Sequence, residues 1–378
     1  VVGLLTIALV PVLGAIWAAV AAVAVQAAFV GVSWYAGVRE NLLIDPTYPV
    51  AATLALFVMM ATTNYIREEL QKRQIRSAFG QYLSPALVDQ LADNPDRLVL
   101  GGETRPLTLL FTDVRGFTTI SESFKANPQG LTRLMNRFLT VMSNAILEQE
   151  GTIDKYMGDA IMAFWNAPVD APDHPLLACR AALLMHKRVA ELNASAREEV
   201  NRTGGQFHEI NIGIGINSGD CVVGNMGSEM RFDYTALGDT VNLASRLEGQ
   251  SKPFGVPVIL GDNTARAVEG KLAVIEIDQV RVKGKAEPER LHSLLGEEET
   301  LASEVFREVK AGNDAMQAAY RAQDWDGAER KIAELTELSA RLEIGITGYL
   351  DVYRKRIAHF RMNPPGADWD TIYEATEK

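Results

Sequence analysis

The chain has 378 residues, with 37 Lys and Arg against 48 Asp and Glu, for a formal charge of −11. That balance excludes the basic face of a nucleic-acid binder. Two cysteines far apart, Cys179 and Cys221, and five scattered histidines without an HExxH pair leave neither a disulfide framework nor a zinc motif.

Residues 1–38 contain no Asp, Glu, Lys or Arg. The run exceeds the roughly 20 residues that cross a bilayer. Pro11 and Gly14 divide it into a truncated first span (1–10) and a full second span (14–36). PVAATLALFVMMATTNYI, residues 49–66, reads as a third. Soluble cores seldom hold so many consecutive uncharged residues. The run also has no basic start and is too long for a cleaved signal. Arg67, Lys72, Arg73 and Arg76 follow the last span, whereas loop 39–48 holds Arg39 beside Glu40 and Asp45. The positive-inside rule therefore places everything after residue 67 in the cytoplasm of a multi-pass protein of the inner (plasma) membrane. The chain begins Val1-Val2, and a missing segment, outside the membrane if there are three spans, is expected upstream.

NYIREELQKRQIRSAFGQYL, residues 64–83, has helical, near-heptad apolar spacing at Ile66, Leu70, Ile75, Phe79 and Tyr82. It reads equally as a two-helix connector or as a simple amphipathic linker. Ser84-Pro85 begins a short helix. From residue 106 the pattern predicts a strand at 107–113, buried on both faces, and helices at 117–125 and 130–149. Strands at 152–157 and 160–165 flank a Gly158-Asp159 turn. A long helix covers 173–202. EINIGIGINSGDCVVGNMG reads as two strands about a turn at Ser218-Gly219, and its glycines lack GxGxxG spacing. A helix at 240–249, apolar segments at 256–260 and 272–277, and a strand QVRVKGK complete an α+β sandwich with helices over one sheet. Residues 300–378 are helical in pattern and contain one unit resembling a helix–turn–helix repeat, AYRAQDWDGAERKIAELTEL. A solenoid needs several units, so a helical tail packing on a neighbour is the better reading. The expected organisation is membrane spans over 1–66, a connector over 67–100, a catalytic domain over 101–297 and a helical region over 298–378.

Three constellations can carry chemistry. Asp113 and Asp159 each sit where an apolar strand meets a turn. Side by side they repel, and a divalent cation such as Mg²⁺ resolves that with one or two carboxylates plus substrate phosphates. The helix start at 114–118, with Gly116 allowing close approach, offers N–H groups to the same phosphates. From spacing alone, a helix cap and a turn residue are an equal alternative. Asn242 and Arg246 share a helix face and could hold ribose and developing phosphorane charge, or form an ordinary polar face. Lys155, Lys283 and Lys285 lie on strands, where solvated lysines are common.

Taken together, LFTDVRGFT, KYMGDAIMAFW, YTALGDTVNLASRLE and VKGK, in that order, resemble the motif set of class III nucleotidyl cyclase catalytic domains over residues 100–297. The flanks IRSAFGQYLSP and NPPGADWDTIYEATEK are similar to bacterial cyclases that carry an extracytoplasmic CHASE2 sensor and three spans. The resemblance implies a ferredoxin-like domain, an antiparallel sheet with helices, that converts ATP to cyclic AMP and pyrophosphate. It implies two Mg²⁺ ions (Mn²⁺ can substitute) on Asp113 and Asp159. Lys155 and Thr235 are implied to read the purine, Asn242 to orient ribose, and Arg246 to stabilise the transition state. Lys283 is implied to hold the terminal phosphates, with Gly116, Phe117 and Thr118 cradling the triphosphate; Arg231 is a further candidate phosphate ligand. Guanylyl cyclases carry Glu and Cys at the two purine positions, so Lys155 and Thr235 favour ATP over GTP. The family shares each site across a homodimer. A guanylate cyclase and a non-catalytic nucleotide sensor are the alternatives; no GGDEF-type turn supports a diguanylate cyclase.

Overall fold

The computed structural model describes residues 20, 23–24, 26–40, 45–79, 88, 102–204, 206–228, 231–281, 288–342, 345–366 and 369–374. The chain divides into two units, Val1–Phe79 and Gly80–Lys378. In the first, residues 26–39 are helical, and helix α1 spans Thr47–Phe79. Within α1, Val50–Arg73 is long and apolar enough to cross a membrane by length and composition, with mean hydropathy 1.3. It is the one such helix among the described residues. The span expected at 49–66 and the start of the connector are thus one uninterrupted helix. The span expected at 1–10, the beginning of the second, and Ser84-Pro85 lie outside the described residues.

The second unit is built on one sheet. Its strands are β1 (Glu103–Val114), β2 (Thr152–Met157), β3 (Ala160–Trp165), β4 (Ile212–Ser228), β5 (Arg231–Leu237), β6 (Val258–Gly261), β7 (Ala273–Arg281), β8 (Glu289–Gly296) and β9 (Tyr373–Glu374). They lie in the order β2-β3-β1-β4-β6-β8-β7-β9, with β5 paired to β4. The helices are α2 (Phe117–Ser123), α3 (Pro128–Glu148), α4 (His174–Thr203), α5 (Asp239–Ser251), α6 (Asp262–Ala267), α7 (Glu298–Ala302), α8 (Glu304–Arg321), α9 (Trp325–Ser339) and α10 (Thr347–Met362). The sheet is mixed, not purely antiparallel: β4 pairs β6, and β7 pairs β9, in parallel. A parallel neighbour needs a crossover, and α5 lies between β5 and β6 in the chain. Strand β8 and helix α6 had no counterpart in the sequence reading.

Strand β1 explains its own composition. Leu107, Leu109 and Phe111 enter one core with Met162, Phe164 and Val223. Leu110 and Val114 enter another with Phe138, Met142 and Met185 from α3 and α4. Alternation across the pleat thus buries both faces. Trp165 is fully buried in the second of these cores, and its Nε1–H donates to the Gln149 carbonyl at 2.7 Å, satisfying its one polar atom.

The turn expected at Ser218-Gly219 is absent; β4 runs unbroken through it, with Ser218 paired to Thr108. The glycines serve close approach instead. A Cβ on Gly215 would lie 2.1 Å from the Glu248 backbone nitrogen, and one on Gly219 would lie 2.8 Å from Thr240 Oγ1. They let α5 lie directly on β4. The strand expected at QVRVKGK begins as the end of β7, and residues 282–287 lie outside the described residues.

The C-terminal helices cover the far half of the same sheet. Phe306, Val309, Met316, Tyr320, Ile332, Leu335, Tyr349 and Tyr353 share one core with Ile275, Ile277 and Leu291 of the strands and with Leu243 and Leu247 of α5. A bulge in β7 between Glu276 and Asp278 breaks the ladder, which frees backbone carbonyls that need partners. Side chains of α8 and α10 supply them. Asn313 Nδ2 and Gln317 Nε2 each donate to the Glu276 carbonyl at 2.8 Å. Tyr353 O–H donates to the Ile277 carbonyl at 2.8 Å. Arg356 Nη1 lies 2.6 Å from Asp278 Oδ2 in a buried ion pair.

Candidate active site

The β1–β3 register pairs Thr112 with Ile161. Asp113 follows the first and Asp159 precedes the second by two, so the hairpin of β2 and β3 carries both carboxylates to one end of the sheet. They meet within hydrogen-bonding reach. Burial, then the Asp159 contact and its charge, push the Asp113 carboxyl up to about 7, against the Val114 N–H that donates to its Oδ1 at 2.9 Å. The pair is a concentration of negative charge with no cation among its partners in the described residues. Helix α2 begins beside it. The Arg115 N–H is occupied by the Asn211 carbonyl at 2.8 Å, while the first helical N–H groups, those of Phe117 and Thr118, have no intrahelical acceptor.

Glu248 and Arg115 complete these surroundings, and the motif reading had given neither a role. Glu248 is pushed up to about 7 by burial and by the charges of Asp113 and Asp159, offset by the Arg115 guanidinium. Arg115 Nη2 donates to the carbonyls of Ser251 at 3.2 Å and Val256 at 2.5 Å, tying the end of β1 to the loop after α5. Among the described residues, no cluster of three His, Cys, Asp or Glu forms a metal-ligating group. The two aspartates alone match the donor set of a cation that completes its shell with water and phosphate.

A second site joins β2 to β5. Lys155 Nζ lies 3.4 Å from Thr235 Oγ1. The Thr235 hydroxyl donates to Asp154 Oδ2 at 2.5 Å, and Asp154 Oδ1 lies 3.2 Å from Lys155 Nζ. Burial pushes the Asp154 carboxyl up, and Thr235 and Lys155 pull it back. Residues 80 apart in sequence thus meet. Asp154 had been passed over, although a carboxylate directly before Lys155 was a visible signal.

Helix α5 buries Leu243, Ala244 and Leu247, leaving Asn242 exposed and Arg246 half-buried. Val241, expected on the buried side, is only partly covered, and Leu243 takes that place. Neither the Asn242 nor the Arg246 side chain has a hydrogen-bond or ion-pair partner among the described residues. At 100° per residue, Glu248 points about 140° away from the Asn242–Arg246 face. The helix therefore turns Glu248, not Asn242 and Arg246, toward its own chain's aspartates. Lys283 lies outside the described residues, as does the side chain of Arg231.

This sheet, with a carboxylate pair at one end and a lysine–threonine pair joining β2 to β5, belongs to a known class. Residues 101–296 match the family model of the adenylate and guanylate cyclase catalytic domain, and the chain belongs to that family. It is 38% identical over 188 residues to the adenylate cyclase of Anabaena cylindrica, covering 49% of this chain and 36% of that protein. It is 32% identical over 190 residues to adenylate cyclase 1 of Rhizobium meliloti, covering 50% of this chain and 27% of that protein. The chain thus spans about a third of the length of these curated relatives. The crystal structure of the adenylyl cyclase CyaB from P. aeruginosa is similar at 33% identity and a TM-score of 0.46, over 52% of this chain and 96% of that one.

Proposed function

We propose that the chain is the catalytic part of a membrane-tethered adenylate cyclase that converts ATP to 3′,5′-cyclic AMP and pyrophosphate at sites shared between two copies. The observation that carries the reading is the orientation of α5. Its unpartnered Asn242 and Arg246 face away from the Asp113–Asp159 pair of the same chain, so a complete site takes them from a second copy related by a two-fold axis. The CHASE2-type context and the membrane anchor, with α1 as one span, belong to the same proposal.

In this reading Asp113 and Asp159 hold Mg²⁺ or Mn²⁺. When bound, two such ions lower the pKa of the ribose 3′-hydroxyl and neutralise the triphosphate. The protein's own groups do the rest. Gly116, Phe117 and Thr118 present backbone N–H groups to phosphate oxygens, and Lys283 balances the terminal phosphates. Lys155 and Thr235, which come from the same copy as Asn242 and Arg246, fix the purine edge. Asn242 from the other copy orients the ribose so that O3′ lies in line with the α-phosphorus. The O3′–P bond forms as the bond to pyrophosphate breaks, and the hydroxyl proton leaves to solvent. Arg246 disperses the charge that develops on the α-phosphoryl oxygens.

The test uses the full chain in detergent or native membranes, with ATP or GTP and Mg²⁺ or Mn²⁺. Cyclic AMP and pyrophosphate should form in equal amounts, with cyclic GMP from GTP a minor product. Neither cyclic nucleotide from a demonstrably dimeric protein sinks the reading. Asp113→Ala and Arg246→Ala should each be inactive. Co-expressed, they should regain about a quarter of wild-type activity, because half the dimers are mixed and each mixed dimer has one intact site. No regain counts against shared sites.

A further inference from the structure

The Asp154 carboxylate is the unexplained group in the purine-facing site. It is 4% exposed, on a strand whose neighbours are apolar. The β2–β3 register pairs Ile153 with Ala163 and Lys155 with Met162, so Asp154 is the extra residue of a bulge. In a regular strand, residues 154 and 155 would point to opposite faces. The bulge breaks that alternation and sets the carboxylate and the ammonium side by side, with Thr235 between them.

We propose that Asp154 is a positioning residue for base selection: it takes the single proton of the Thr235 hydroxyl and leaves that oxygen able only to accept. The inference rests on the reading above, in which Lys155 and Thr235 face a purine. A hydroxyl has one proton and two lone pairs. Once the proton is committed to Asp154 Oδ2 and one lone pair accepts from Lys155 Nζ, Thr235 offers the ligand its remaining lone pair alone. Lys155 offers only N–H. Of its three N–H groups, one points to Thr235 Oγ1 at 3.4 Å and one lies against Asp154 Oδ1 at 3.2 Å, which leaves a donor for a ligand.

A donor beside an acceptor fits the edge of a 6-aminopurine. The ring nitrogen N1 accepts from Lys155, and the exocyclic amine donates to Thr235. A 6-oxopurine held in the same place by its ribose and phosphates reverses both groups. Its O6 meets the remaining lone pair on Thr235, and its N1–H meets the ammonium. Without Asp154, Thr235 could rotate and donate to O6; with Asp154, it cannot. Discrimination between the two base classes thus comes from a residue that never touches the base.

The experiment measures kcat/KM of the full chain for ATP and for inosine triphosphate, which carries the 6-oxo edge without the 2-amino group of guanine. Asp154→Asn keeps the shape. Lys155, a pure donor, holds the new amide oxygen on its own side and turns the amide N–H₂ toward Thr235. Thr235 then accepts from it and points its proton at the base. The ATP-to-ITP ratio should fall about tenfold, the scale of one hydrogen bond. In a Thr235→Val background, Asp154→Asn should not move the ratio, because there is no hydroxyl to orient. Asp154→Ala provides a second variant with the same expectation, and thermal unfolding checks that each variant folds. An unchanged ratio in an active, folded Asp154 variant overturns this inference and leaves the cyclase reading standing. An equal further fall in the Thr235→Val background overturns it too. Wild-type protein that cyclises no nucleotide overturns the cyclase reading, and this inference with it.

Discussion

Two carboxylates on one sheet have opposite fates. Asp278, in the bulge of β7, is buried against Arg356 at 2.6 Å and also accepts from the Gln279 N–H at 2.8 Å. Burial pushes its carboxyl up, and the guanidinium pulls it back. Asp113, at the end of β1, faces another carboxylate and is pushed up to about 7. The first site is satisfied inside the chain. The second is incomplete without something from outside it. Buried charge that the fold neutralises serves the fold, and charge that it leaves opposed marks where a ligand belongs.

The largest test removes the satisfied side altogether. A chain ending at Gly296 loses α8, α9 and α10, which supply eleven buried residues to the core they share with β7, β8 and α5. At about 1.5–3 kcal/mol for each large apolar side chain, the loss exceeds the ~5–15 kcal/mol that holds a domain together. Such a chain should show no cooperative thermal unfolding transition; a normal one would mean that these helices are an appendage. Next in size, Asp278→Ala should cost about 3–5 kcal/mol by stranding the Arg356 charge, with Asp278→Leu, Arg356→Met restoring much of it. Denaturant midpoints of the single and double variants decide this, and additive losses would show that the two groups do not act as a pair.

The opposed side should respond the other way. Asp113→Asn should abolish cyclase activity yet raise metal-free stability by up to about 1 kcal/mol, since one charge leaves the repulsion. The pH dependence follows from the same cause. Unfolded, Asp113 titrates near its ordinary 3.8; folded, near 7. Between these values the folded state holds the extra proton, so stability falls as pH rises across the window. In a chelator, the unfolding midpoint of wild type should therefore drop between pH 3.8 and about 7 and level off above that. The slope should be shallower in Asp113→Asn, with a remainder from Glu248, which shifts in the same direction. Equal slopes in the two proteins would remove Asp113 as its source.

How much of this was readable in advance differs between the two sides. The Asp113 side announces itself locally. A buried alternating strand, a Gly-Asp turn between apolar runs and a helix start lie within short stretches, and strands β2 and β3 fall at the residues expected. The Asp278 side does not. The apolar stripes of α8 to α10 show that those helices bury a face, but nothing in their spacing says that the face meets β7 and β8. Asp278 and Arg356 are ordinary charges until the bulge brings them together. Ser218-Gly219 misled for a related reason: glycine marks both a turn and a close approach, and only the position of Thr240 on α5 tells them apart. Asp154 was visible as a carboxylate directly before Lys155, but its partner Thr235 lies on a strand far along the chain.

The shared core has one further consequence, in the order of synthesis. Leu243 and Leu247 of α5 belong to a surface that Ile357 helps close. Between the end of β8 at Gly296 and the end of α10 at Met362, a ribosome working at ~5–20 residues per second needs on the order of 3 to 13 seconds. During that interval Leu243 and Leu247, on the helix carrying Asn242 and Arg246, lack the cover that α8 to α10 supply, although the helix already lies on β4. A nascent chain of this protein is therefore a client for chaperones until its last helix emerges, and ribosomes that stall late yield an aggregating product rather than a shorter enzyme.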